Sequence, residues 1–223
     1  MQRTWIGVLL IALTVGGLSV TAAATNGPGK AAAERLAERM EDLERLNARF
    51  SQRLTDGRGI ELRRTRGELW AERPDRFRWE VSAPFAEVLI GDGSTLWLWD
   101  PDLEQVTVRP YDDRLKATPA RILSGAVGEL VDAFDVDYAA IDETRERFTL
   151  WPRGGDALFE RLEMIFEDQR PRYMIIHDGL GQRTEVELHD VRTDFAIDPD
   201  LFTFEIPEGA DVIEEEAEYG LDG

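Results

Sequence analysis

Apolar positions recur along this chain with two different periods, and each change of period marks a change of element. From Lys30 to Leu46, Leu36, Met40, Leu43 and Leu46 return at helical spacing between Glu and Arg residues. That spacing predicts a short amphipathic helix with an apolar stripe to dock. Asn26-Gly27-Pro28-Gly29 ahead of it is a flexible lead-in. From Ala48 to Val108 the period falls to two, through Phe50/Gln52/Leu54, Leu69/Ala71, Phe77/Trp79/Val81, Leu96/Leu98 and Val106/Val108. Turn clusters such as Asp56-Gly57-Arg58-Gly59, Arg73-Pro74-Asp75 and Gly91-Asp92-Gly93-Ser94 separate these runs. The pattern predicts an antiparallel meander of about six strands. Thr118 to Phe134 breaks it: Thr118 is a capping residue, Pro119 suits the first helical position, and Ser124-Gly125 with Gly128 divides the segment into two short helices. Strands then resume at Val136–Ile141, Arg147–Trp151, Leu158–Phe166, Tyr173–His177, Glu185–Leu188 and Leu201–Phe204. The prediction is a mainly β chain of about eleven strands with three short helices. A sheet that long curls, and helices interrupting it are placed to cover its concave side.

The two ends read differently. Arg3 precedes an apolar run from Trp5 to Val20 that closes on Thr21-Ala22-Ala23-Ala24, the plan of a secretory signal cleaved after Ala24. A membrane anchor is the competing reading; the Ala-x-Ala site and the lack of a basic cluster after it favour cleavage. Residues 1–24 are therefore expected to be a signal peptide, 25–212 one domain, and 213–223, with Glu214-Glu215-Glu216-Ala217-Glu218, a solvated acidic tail. The 223 residues carry 26 Lys+Arg against 45 Asp+Glu, a formal charge of −19, which argues against a nucleic-acid partner because phosphate binding needs clustered cations. Cysteine is absent, which excludes disulfides, thiolate metal sites, a Cys nucleophile and a lipid anchor on a cysteine following the signal.

Catalytic constellations are hard to find. His177 and His189 are the only histidines, and neither has a partner at metal-ligand spacing. Gly91-Asp92-Gly93-Ser94 is too short for a phosphate loop and precedes a strand, so it reads as a hairpin turn. The prominent feature is aromatic: Trp70, Trp79, Trp97 and Trp99, with Phe77 and Phe85, lie close together in the first half of the sheet. Trp97 and Trp99 alternate with Leu96 and Leu98, so that strand is apolar on both faces. Either it is a core strand packed on two sides, or the concave face is an apolar pocket under the helices.

These residues resemble the periplasmic lipoprotein carrier family LolA. Gly67-Glu-Leu-Trp-Ala-Glu-Arg-Pro-Asp-Arg-Phe-Arg-Trp79 looks like the family's Gly-x-Leu-Trp-x-x-Arg-Pro-x-x-Phe-x-Trp. Phe50-Ser-Gln52, Asp92-Gly-Ser-Thr-Leu-Trp-Leu-Trp-Asp-Pro101 with Glu104-Gln-Val106, and Phe202-Thr-Phe-Glu-Ile-Pro-Glu-Gly209 follow in order. The resemblance implies an incomplete, half-open antiparallel barrel of eleven strands with a helical lid over an apolar cavity. It implies a non-enzymatic periplasmic carrier, working as a monomer without cofactor or metal. Its cargo would be the acyl chains of lipoproteins, taken from an inner-membrane lipoprotein-release ABC transporter and passed to an outer-membrane receptor of the LolB type. That receptor is itself anchored through a cysteine, and this chain has none. The resemblance further implies that Arg73 latches the lid and that Phe77 sits at the cavity mouth facing partners. On alternation, Trp70, Trp79, Leu98, Ile122, Leu123 and Leu130 are cavity candidates. An RseB-like regulatory sensor is the alternative from another class, and a carboxylate-dependent secreted hydrolase a third.

Overall fold

A computed structural model describes residues 29–111, 119–154 and 159–215. The expected signal peptide and the Thr118 cap lie outside the described residues. Helix α1 (Lys30–Glu41) leads into β1 (Arg45–Thr55), β2 (Glu61–Glu72), β3 (Arg76–Ala83), β4 (Glu87–Asp92), β5 (Thr95–Asp100) and β6 (Gln105–Pro110). Helices α2 (Pro119–Ser124) and α3 (Val127–Ala133) interrupt the strands. Then come β7 (Phe134–Ala140), β8 (Arg145–Pro152), β9 (Arg161–Glu167), β10 (Arg170–His177), β11 (Arg183–Arg192) and β12 (Asp211–Glu214).

All twelve strands form one sheet in the order β12-β6-β5-β4-β3-β2-β1-β11-β10-β9-β8-β7, whose two end strands are not paired with each other. Apart from the parallel β12–β6 pair, every pairing is antiparallel. An antiparallel sheet of this length buries one face by rolling around it. Leu46, Ala48 and Phe50 on β1, Leu69 and Ala71 on β2, and Phe148 and Leu150 on β8 point to the concave side, where Leu36 and Met40 of α1 and Ile122 and Leu123 of α2 join them in one cluster. Gly67 allows the roll at β2. A Cβ there would lie 1.7 Å from the Glu80 carbonyl oxygen and 2.8 Å from the Phe50 ring, so the first glycine of the family motif is required by close approach.

The helices start where the sequence places them, but α1 ends at Glu41. Leu43 and Leu46 fit the helical spacing, yet Leu46 belongs to β1 and points to the concave face. Two expectations about the C-terminal part fail. Leu201–Phe204 is no strand; Pro199–Phe202 is a 3-10 turn whose Asp198 side chain accepts from the Asp200 N–H. The acidic tail does not begin at residue 213 either. Val212 and Ile213 lie in β12, which pairs with Val106 and Thr107 on the otherwise open edge of β6. Backbone pairing supplies what that edge lacks and asks for no apolar side chain, which is why an acidic segment can do it.

Candidate functional site

The β2–β3 turn carries Arg73, and its side chain reaches across the concave side to the helices. Arg73 Nε donates to the Leu43 carbonyl at 3.1 Å, just past α1. Nη1 donates to the Gly125 carbonyl between α2 and α3, and Nη2 lies 3.9 Å from Met40 Sδ. The backbone reinforces the tie: the Arg73 N–H donates to the Glu44 carbonyl at 2.9 Å, and the Asp75 N–H to the Ser124 carbonyl at 2.8 Å. One fork thus joins the sheet, the α1–β1 link and the α2–α3 junction. Among the described residues its hydrogen bonds go to neutral acceptors, and burial pushes the guanidinium pKa down to about 10, so it stays charged at neutral pH. A half-buried cation held by neutral acceptors costs desolvation energy that exposure to water would return.

The space beneath the lid is filled by the protein itself. Trp79 packs against Phe50 with ring centroids 4.1 Å apart and planes tilted by 33°. Ile122, Leu123 and Leu130 are buried from above. Between α2, α3 and the start of β7 lies a recess of about 30 Å³ lined, among the described residues, by Ile122, Ala126, Leu130 and Phe134, room for a water or two. The described form is closed.

The sequence-derived candidates divide as follows. Trp79, Ile122, Leu123 and Leu130 meet in the concave cluster, and Leu98 faces the same side, opposite Leu89. Trp70 does not. Its neighbours Leu69 and Ala71 point inward, so Trp70 lies on the convex face, paired with Arg78 and Asn47. Alternation defines two sets of residues and does not say which set is inside. Phe77, expected at a partner-facing mouth, is 1% exposed. Its ring lies against Gly91, where a Cβ would come within 2.6 Å of it, and 6.3 Å from the Tyr111 ring. In this closed form it is a core residue.

Trp97 and Trp99 settle the double-sided strand. They point to the convex face, and Ile90, Val106 and Phe202 are buried there outside the concave cluster. The chain after β11 covers this second layer. Arg78 donates to the Leu201 carbonyl at 3.4 Å, Arg76 lies over the Phe202 ring at 5.4 Å, and Phe204 sits 6.4 Å from Trp97.

One element escaped the sequence reading. Glu146 on β8 points to the concave side, paired across from Ala140, and its carboxylate accepts from Arg35 at 2.8 and 3.0 Å and from Arg39. Burial alone would raise the pKa of this carboxyl; the hydrogen bonds from Arg39 and Arg35 outweigh it and hold the pKa below its ordinary value. The signal was present: in Glu146-x-Phe148-x-Leu150 an acid stands at an inward position of an alternating strand, and the facing helix carries arginines four residues apart.

No group of His, Asp and Glu among the described residues is arranged to hold a metal ion. His177 instead lies 3.3 Å from Glu163, and His189 3.2 Å from the Ser51 hydroxyl. No helix among the described residues is long and apolar enough to cross a membrane.

The sheet is open, rolled around an apolar interior, and covered on its concave side by helices tied to it at a few polar points. The chain belongs to the family described as outer membrane lipoprotein carrier protein LolA, whose model matches residues 41–205. The outer-membrane lipoprotein carrier protein of Chromohalobacter salexigens is 44% identical over 207 residues, covering 92% of this chain and 96% of that one. Its counterpart in Pseudomonas aeruginosa is 39% identical over 207 residues, covering 93% and 99%. Among solved structures, an uncharacterised conserved protein from Thermus thermophilus aligns with a TM-score of 0.52 over 82% of this chain and 99% of that one. At 13% identity, that likeness concerns the fold alone.

Proposed function

We propose that this protein is a periplasmic carrier that shields the acyl chains of lipoproteins leaving the inner membrane and hands them to an outer-membrane receptor of the LolB type, after loading by an ABC transporter. It does so without catalysis. Membership of the carrier family supports this reading, and the observation that carries it is the Arg73 fork closing the helices over a self-filled apolar interior.

The energetics explain why such a fork is useful. Burying a methylene is worth about 0.8 kcal/mol, so a chain of ~15 carbons offers on the order of 12 kcal/mol. A preformed pocket with that much complementary surface would hold its cargo too tightly to deliver it. Here the cargo must first displace Ile122, Leu123 and their neighbours and break the Arg73 bonds. The work of opening is returned when the lid shuts behind departing cargo. Phe77, buried in the closed form, becomes part of the surface uncovered when α2 lifts.

Replacing Arg73 by Leu tests this. Hydrogen bonds from a charged group contribute about 2 kcal/mol, so an empty form lacking them should bind a synthetic triacylated cysteinyl peptide about 30-fold more tightly. Transfer of the peptide to purified receptor should fall correspondingly. Unchanged loading together with normal handover would reduce Arg73 to a turn residue beside Pro74 and remove the latch.

A further inference from the structure

The helices are held at two places of different chemistry, and of these only Arg73 reaches α2. Arg73 ties the α2–α3 junction, and the C-terminal end of α1, to the β2–β3 turn. The second place lies at the opposite side of the rolled sheet. Arg35 and Arg39, one turn apart on α1, converge on the Glu146 carboxylate, whose side chain is only 10% exposed. The Arg35 guanidinium also lies over the Tyr138 ring of β7 at 4.4 Å, and the Gly29 N–H at the start of α1 donates to the Val136 carbonyl at 3.0 Å. Helix α1 packs on α3 and β7, whereas α2 packs on β2 and β3.

We propose that Glu146, gripped by Arg35 and Arg39, is a second and independent fastening that pins α1 to the β7–β8 edge, so that α1 remains a fixed wall of the container and α2 is the part that moves. This rests on the carrier reading for its purpose but not for its physics. The two fastenings suit those roles. The Arg73 cation faces neutral carbonyls, and its hydration on opening offsets the bonds it loses. The Glu146 site is a carboxylate only 10% exposed and paired with two guanidinium groups, and separating it would leave that charge largely buried without its partners. Three donor bonds from two guanidinium groups also fix the orientation of α1 in a way that a single contact would not. Glu146 is thus a positioning residue: it touches no cargo and acts by keeping α1 still while the helix next to it moves.

Amide hydrogen exchange on the intact protein, read peptide by peptide, separates the two fastenings. In the empty protein, Glu146→Gln should speed exchange across residues 30–41 about tenfold and leave 119–124 unchanged. Arg73→Leu should act mainly at 119–124, with a smaller effect confined to the end of 30–41 where Arg73 meets Met40. Arg35→Gln, which removes the more exposed of the two arginines (44% against 18%), should speed exchange at 30–41 by a smaller factor and serves if Glu146→Gln fails to fold. Acceleration of both segments to the same extent by either variant would mean one cooperative lid and overturn the proposal. So would an unchanged α1 in both Glu146→Gln and Arg35→Gln. Adding the triacylated cysteinyl peptide to the wild-type protein should then speed 119–124 and spare 30–41. If the peptide does not bind while the two variants still act on separate helices, the carrier reading fails and the second fastening stands; acceleration at 30–41 by the bound peptide would refute the fixed wall.

Discussion

The concave face of the sheet and the β4–β6 part of its convex face are both apolar, and both are covered, but by different kinds of cover. On the concave side, Leu36, Met40, Ile122, Leu123 and Leu130 come from helices that share no strand hydrogen bonds with the sheet and are tied to it at a few polar points. On the convex side, Phe202 and Phe204 come from a segment that runs from β11 across Ile90 and Trp97 and ends as a strand of the sheet itself, β12 on β6. The first cover can leave while the sheet stays whole. The second cannot leave without unzipping an edge. On the proposed carrier reading, apolar burial has two uses in one small domain: as a removable filling where cargo enters, and as permanent ballast on the side away from it.

The largest effect that tests this contrast is expected from Phe77→Glu. A carboxylate placed against Gly91 and Tyr111 at a position with 1% exposure has no partner there, and burying it costs several kcal/mol. The cooperative thermal transition should be lost or moved far down. A variant that melts like the wild type but fails in transfer would show instead that the ring reaches a partner-facing mouth, and that the concave filling is looser than its burial implies.

Next in size is Phe202→Ala on the convex side. Removing a fully buried phenylalanine costs about 3–5 kcal/mol, and this one sits apart from the concave cluster. Denaturant titration should show that loss, while uptake of the lipopeptide well below the melting temperature should stay within about twofold of wild type. Equal damage to stability and uptake would erase the distinction between filling and ballast.

Much of this architecture is legible from period alone. The switch from 3.6 to 2 after α1, the six-strand meander, and the break at Ser124-Gly125 all correspond to observed elements, because there the local pattern and the burial agree. The two-sided apolar strand Leu96–Trp99 is also visible, but not its reason. What covers its outer face is 100 residues away, in a segment with Pro199, Asp198 and Asp200 whose composition reads as loop or weak strand. Trp70 fails for a different cause: alternation places it on the face opposite Leu69 and Ala71, and the pattern alone does not say which of the two faces is inside. Arg73 owes its identification to a motif, whereas its partners Leu43 and Gly125 offer only backbone carbonyls, which no sequence pattern marks. β12 is hidden by its charge, since all four of its residues remain exposed and only main-chain pairing holds it.

The smallest expected effect belongs to Arg73→Lys, and it bears on how the removable cover is held. Lysine keeps the charge and much of the length but offers a compact ammonium in place of a planar fork. Leu43 and Gly125 lie on separate elements, and Arg73 meets them with different nitrogens, Nε and Nη1. An ammonium can satisfy one of these carbonyls well and must neglect the other, so it fastens either the α1–β1 link or the α2–α3 junction and no longer bridges them. Lysine's charge is also more strongly hydrated, which raises the cost of holding it half-buried. Stability should change by less than about 1 kcal/mol, because the lost bond is offset by hydration in a site that opens readily. Loading affinity should fall between wild type and Arg73→Leu, a few-fold above wild type. If Arg73→Lys equals Arg73→Leu in both loading and handover, the bridge between the two elements is the whole of the latch; if it equals wild type, a single charge-assisted bond suffices and the fork geometry is incidental.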